Sequence, residues 1–135
     1  MFVNHIDVKV FSLSKGEKLK SKKLIGELYN NGKSIKVFPL RLTYIQNTFP
    51  SDQPVQMGVT VPKRKFKKAV DRNRIKRLMR ESYRLEKNII LSELDENYVF
   101  MISYLANEEW KYESIRKKMT TLLTKFKEEI KNHEK

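Results

Sequence analysis

The hydrophobic positions of this chain change period several times, and each change marks an element. Ser21 is suited to cap a helix start, and Leu24, Ile25, Leu28 and Tyr29 follow at helical spacing. Asn30-Asn31-Gly32 then offers a left-handed stop, so the spacing predicts a short helix of about three turns at most. Residues 34–46 alternate as one strand through Ile35, Val37, Phe38, Leu40, Leu42 and Tyr44, with Pro39 marking an edge position or a bulge. Residues 47–54 read as a turn-forming linker. A second strand covers residues 55–61, with Val55, Met57, Val59 and Val61 on one face and Gln56, Gly58 and Thr60 on the other. Such a strand covers a core on one side only. Its small polar side is either plain solvent-facing surface, the commoner case, or a floor for something flat or extended.

Pro62 ends that strand. A helix is predicted from between Ala69 and Arg72 to about Lys87, its apolar side formed by Ile75, Leu78, Met79, Ser82 and Leu85. Arg72, Lys76 and Arg80 stack on another side, with Asn73, Arg77 and Arg84 beside them, while Arg74 flanks the apolar stripe. Asp71 suits the first turn, where the helix dipole favours an acid. Residues 98–104 are almost continuously apolar and predict a strand buried on both faces, which completes a βαβ unit. Residues 110–131 carry Ile115, Met119, Leu122, Leu123, Phe126 and Ile130 at amphipathic helical spacing. The first fifteen residues alternate weakly and fit an edge strand or an ordered arm equally; the last three are expected to fray.

Charge changes this picture from a small α+β domain to one with a specific kind of partner. The chain has 135 residues, enough for one domain with a core of its own. Lys and Arg number 29 against 16 Asp and Glu, a net charge of +13. Ten of the basic residues fall within residues 63–80, where Asp71 is the sole acid. Such crowding destabilises a fold by self-repulsion, so it points to a polyanion, either nucleic acid or anionic lipid. Lys18, Lys20, Lys22 and Lys23 likewise oppose the dipole of the first helix and suit a partner better than the helix.

Several chemistries drop out. There is no cysteine, which excludes disulfides and a cysteine-ligated zinc site. The two histidines, His5 and His133, lie near the ends without metal-ligand companions. No Walker loop, nucleophile elbow or dinucleotide glycine loop is present. The acidic pairs Asp95-Glu96 and Glu108-Glu109 read as solvated loop and helix-start charges. No catalytic residue and no metal ligand is therefore assigned. No apolar run reaches the ~20 residues that span a bilayer, and no signal-peptide pattern opens the chain, so a cytoplasmic protein is expected.

Arg72-Asn73-Arg74 followed by Ile75-Lys76-Arg77-Leu78-Met79-Arg80 resembles the signature helix of the protein subunit of bacterial ribonuclease P. Asn31-Gly32-Lys33-Ser34, the strand Met57-Gly58-Val59-Thr60-Val61, the turn Lys63-Arg64 and Ala69-Val70 stand in that family's order. The resemblance spans about residues 19–126. It implies an α+β fold, a two-layer α/β sandwich of order α-β-β-β-α-β-α, with a left-handed βαβ crossover. It also implies that a magnesium-dependent RNA subunit is the catalyst, the protein binding no cofactor alone. The protein would bind that RNA and the 5′ leader of precursor tRNA, promoting hydrolytic removal of the leader; no membrane or DNA partner is implied.

By the same resemblance, Arg72, Asn73, Arg74, Lys76, Arg77, Arg80, Lys63 and Arg64 contact RNA. Ile25 and Tyr29 fall where relatives have two aromatics lining a leader cleft; Tyr29 keeps the ring and Ile25 departs from it. Gly58, Thr60 and either Leu42 or Tyr44 form the cleft floor. From chemistry alone, Asn73 either orients its arginine neighbours or a magnesium-bound water, or caps local backbone. The alternative function is a structural RNA-binding protein such as a ribosomal component. A helix-turn-helix DNA reader is disfavoured, because a basic helix between two strands is not that arrangement.

Overall fold

The structure, a computed structural model, describes residues 13–49 and 53–133. The extension up to residue 12, including His5, and the final Glu134 and Lys135 lie outside the described residues. After a 3-10 turn (Lys15–Glu17) come α1 (Lys22–Asn31), β1 (Lys33–Val37), β2 (Leu40–Gln46), β3 (Val55–Thr60), α2 (Ala69–Glu86), α3 (Asn88–Leu91), β4 (Tyr98–Tyr104) and α4 (Tyr112–His133). This is the expected α+β order with one short helix, α3, added. Lys87 keeps right-handed helical angles (φ −59°, ψ −24°), so the chain coils on into α3 and buries Ile90.

The strands form one sheet in the order β1-β2-β4-β3. β1 and β2 pair antiparallel, as do β2 and β4; β3 runs parallel to β4. β4 is paired on both edges and its second face, at Val99 and Met101, lies under α1, which explains its unbroken apolar run; β3-α2-β4 is the βαβ unit.

Residues 34–46 are two strands, not the single one expected. Phe38 and Pro39 make a two-residue turn, joined by a cis peptide bond, and Val37↔Leu40 to Lys33↔Tyr44 pair as a hairpin. Proline has no N–H to give a ladder, and the turn is where it is tolerated. The turn leaves the apolar residues of both arms on one face, so alternation along the sequence does not reveal it.

Alternation across the sheet defines two faces. Ile35, Leu40, Leu42, Tyr44, Val55, Met57, Phe100 and Ile102 turn toward α2, α3 and α4 and form the main core. α4 seats Ile115, Met119, Leu122, Leu123 and Phe126 on it, all fully buried. α2 contributes Ile75, Met79, Ser82 and Tyr83; Leu78 and Leu85 are only partly buried. The sheet and this helical layer are the expected sandwich. On the opposite face, α1 covers one part only: Leu24 and Leu28 pack on Val99, Met101 and Phe49. Phe49, from the supposed linker, is 6% exposed and was not expected in a core.

α1 begins as its sequence suggests, with the Ser21 hydroxyl accepting from the Leu24 amide at 3.2 Å. The expected left-handed stop does not occur. Gly32 is extended (φ −70°, ψ 149°), and its amide donates to the Leu28 carbonyl at 2.8 Å. Glycine is needed there for room: a Cβ would lie 2.2 Å from the Leu28 oxygen and 2.7 Å from the Thr43 methyl.

Candidate nucleic-acid interface

The seating of α2 through Ile75 and Met79 turns its other side outward. Asn73, Arg77 and Arg80 are exposed and Lys76 is half-buried. None of these four side chains has an ion pair or side-chain hydrogen bond among the described residues. Asn73 therefore neither caps backbone nor bonds to its arginine neighbours here. Lys63 and Arg64 are also exposed, and unpaired among the described residues, in the turn that the Lys65 and Phe66 amides close by donating to the Pro62 carbonyl. Phe66 anchors that turn, buried beside Tyr104 at 5.9 Å between ring centres.

Two signature arginines behave differently from the expectation of free cations. Arg74 is neutralised within the protein: its guanidinium donates to both carboxylate oxygens of Glu109 at 2.8 and 2.6 Å, and to Asp71 at 2.7 Å. Those bonds, to Glu109 first, hold Arg74 still more firmly protonated, and Arg74 in turn holds the Glu109 carboxyl below its ordinary range. Arg74 thus ties α2 to the loop before α4, and Glu109 is not the solvated charge expected. Arg72 bends back to donate to the carbonyls of Phe66 and Lys67 at 2.8 and 2.9 Å, fastening the basic turn to the helix start. Arg84, expected beside the basic side, pairs with Glu81.

The second part of the site lies on the sheet face that α1 leaves open. Lys36, Arg41, Ser103 and Thr60 pair in register and make one row across all four strands. The adjacent row is Ser34, Thr43, Met101 and Gly58. α1 runs along this second row, with Gly32 over Thr43 at one end and Leu19 beside Gly58 at the other. Helical rotation puts Ile25 and Tyr29 on the flank facing the basic row. Tyr29 is 63% exposed and Ile25 half-buried. The result is an open cleft with a polar, basic floor and one ring on its wall.

Tyr44 does not belong to this cleft, nor does Leu42. Tyr44 is 5% exposed on the far face, stacked edge-on against Phe126 at 4.9 Å, with its hydroxyl donating to Glu129. Burial, then the Glu129 carboxylate, pushes its phenol well above the usual range. The apolar members of β2 go to the core, so the floor takes the alternate set, Arg41 and Thr43. Arg41 and Lys36 were missed by sequence reasoning, although alternation opposite Leu40 and Leu42 was the signal that could have found Arg41. Gly58 sits at the covered edge of the floor, where a Cβ would make ordinary contacts with Met101 and Leu19 at 3.4–3.6 Å.

A groove of about 640 Å³ runs past Glu27, Lys33, Tyr44, Asp95, Glu96 and Tyr98, three acids against one lysine. Its acidic lining is the wrong sign for phosphate. Among the described residues no three acidic or histidine side chains gather as a metal site, and no helix is long and apolar enough to cross a membrane.

Fold and surface together define a cationic α+β domain with an unpaired basic helix side and an open basic sheet face. The family model described as Ribonuclease P matches residues 13–127, and the chain belongs to that family. It is 32% identical over 123 residues to the "Ribonuclease P protein component" of Syntrophus aciditrophicus, covering 91% of this chain and 98% of that one. The likeness to the protein of the same name from Porphyromonas gingivalis is 39% over 90 residues, covering 67% of this chain and 66% of the relative, just under two thirds of its length. Among solved structures, the RNase P protein from Thermotoga maritima superposes with a TM-score of 0.65 at 20% identity, covering 81% of this chain and 96% of that one. The Staphylococcus aureus RNase P protein gives 0.66 at 20% identity, covering 82% and 94%. At that identity the two structures speak for the fold alone.

Proposed function

We propose that this chain works in the cytoplasm as the protein component of ribonuclease P. It binds the RNA subunit through α2 and the Lys63-Arg64 turn, and it holds the 5′ leader of precursor tRNA along the open sheet face. Hydrolysis of the phosphodiester is the work of the RNA and its magnesium ions; the protein contributes binding and orientation, which promote removal of the leader. One observation supports this reading above others: among the described residues, Lys63, Arg64, Lys76, Arg77 and Arg80 of the family signature and its basic turn have no internal carboxylate partner.

The cleft suits a leader of variable sequence. Lys36 and Arg41 offer charge to phosphates, and Tyr29 offers a ring face that any base can stack upon. Ile25 supplies apolar contact beside Tyr29 but no ring, so one stacking position is expected on this wall. Arg72 and Arg74 position the turn and the loop rather than meeting RNA as free charges.

Reconstitution with a bacterial ribonuclease P RNA at low magnesium tests the reading: the protein is expected to stimulate cleavage of precursor tRNA. RNA binding without stimulation is what a structural RNA-binding protein gives, and it would overturn the proposal. Within the reconstituted enzyme, Tyr29→Ala is expected to weaken leader-bearing precursor by about 1–3 kcal/mol, the worth of one stacked base. Affinity for mature tRNA should not change. Equal losses on both substrates would remove Tyr29 from the leader site.

A further inference from the structure

On the flank of α1 away from Tyr29 lies a groove of about 440 Å³. Lys15, Lys18, Lys20 and Lys23 line it, with Gln56, Thr48, Asn47 and Phe49. All four lysines are exposed, and none has an ion pair among the described residues. The single acid in the lining, Glu27, already accepts from the Asn47 side-chain amide. Four lysines thus share one concavity with a single carboxylate that is already engaged by an amide, and the excess positive charge favours an entering anion.

The lysines are held there by built structure rather than by a loose tail. Glu17 and Lys87 form an ion pair at 2.8 Å with both side chains only 7% exposed. The same carboxylate accepts from the Ser14 amide at 3.0 Å. This clamps the Lys15–Glu17 turn to the end of α2. The next residues are fixed to the sheet edge, where the Leu19 amide donates to the Met57 carbonyl at 3.0 Å. A buried pair costs desolvation, so it is a device for position. Leu19, crossing beside Gly58, separates this groove from the Tyr29 cleft.

We infer that the groove is a second, separate RNA site, which grips the phosphodiester backbone of the folded RNA subunit and not the leader. The inference rests on the proposed function and adds a contact to it. The lining decides what is bound. Its one ring, Phe49, is 6% exposed and gives no stacking platform, whereas single-stranded RNA receptors pair charge with rings. Lysines are compact point charges on flexible stems and meet phosphates without reading sequence. A groove whose cations are all lysines and whose one ring is buried fits a backbone whose bases are occupied in a helix.

The test uses the full chain and a ribonuclease P RNA that the wild-type protein stimulates. With Lys18→Ala, Lys20→Ala and Lys23→Ala combined, affinity for the RNA subunit should fall at least about tenfold, and the salt slope should become shallower by roughly two units, near 0.9 for each phosphate no longer neutralised. The ratio of precursor to mature tRNA affinity should stay at the wild-type value, and the triple Lys→Arg variant should restore binding. Wild-type affinity and slope in the alanine variant would make the groove a solvated patch. Loss confined to leader-bearing substrate would make it an extension of the leader cleft; either result overturns the inference. A wild-type protein that gives no stimulation defeats the proposed function instead, and with it the basis of this one.

Discussion

Replacing Lys76, Arg77 and Arg80 together by alanine is expected to weaken binding of the ribonuclease P RNA roughly 100-fold at physiological salt. The dependence of log affinity on log salt should become shallower by two to three units, about 0.9 for each phosphate that the variant leaves un-neutralised. Each cation that meets a phosphate displaces condensed counterions, and the variant has three fewer such cations. The fold should survive, because α2 is held by Ile75, Met79, Ser82 and Tyr83 on its other side. Relief of like-charge repulsion should, if anything, raise the melting temperature slightly.

The internal comparison is Arg74→Ala. Its guanidinium already satisfies Glu109 and Asp71, so its removal should leave the salt slope within error. As a solvent-screened tie at the surface, it should contribute little to stability. Filter binding across a salt series separates the two cases. A triple variant with the wild-type slope would take the α2 side out of the interface. An Arg74→Ala slope matching the triple variant would mean that RNA competes successfully for that arginine.

Phe126→Ala carries the largest expected cost to stability, about 3–5 kcal/mol. Phe126 is fully buried at the centre of an aromatic cluster, its ring 4.8 Å from Phe100, 4.9 Å from Tyr44 and 5.2 Å from Tyr98. All three pairs are edge-on, the arrangement in which one ring's positive edge meets another's negative face. Truncation leaves a cavity where α4 rests on β2 and β4, walled by strands that cannot close over it. Against a total stability of about 5–15 kcal/mol, that is a large share, equivalent to a melting-point drop of about 10–15 °C. Urea unfolding measures it directly. A loss under about 1 kcal/mol would mean that α4 is not seated on the sheet through this residue.

The elements that are legible in the sequence are those whose signal is local. α2 begins at Ala69 and ends one residue before the expected boundary, because its stripe repeats within each pair of turns. α4 keeps all six expected apolar positions buried for the same reason. β4 reads as doubly covered because no polar residue interrupts it before Ser103. The family itself is legible, since the signature is a contiguous run on one helix with its flanking strand and turn in order.

The misplacements share a different cause. The hairpin at Phe38-Pro39 reads as one strand, since a two-residue turn preserves alternation while reversing direction; only pairing with β4 shows which residues share a face. That pairing puts Tyr44 in the core and Arg41 on the open floor. Arg74 looks like its neighbours until folding brings Glu109, 35 residues later, within 2.8 Å. Glu17 and Lys87 are 70 residues apart, and nothing near either one announces the other.

By itself, then, the order of residues determined which segments coil or extend, which side of each is greasy, and that the whole is too positively charged to be without an anionic partner. Those properties are set by neighbours within a few positions. Tertiary structure alone decided which cations are free. A charge is available to RNA only if no carboxylate reaches it, and Glu109 and Glu17 are brought to Arg74 and Lys87 by the folding of distant segments onto one sheet.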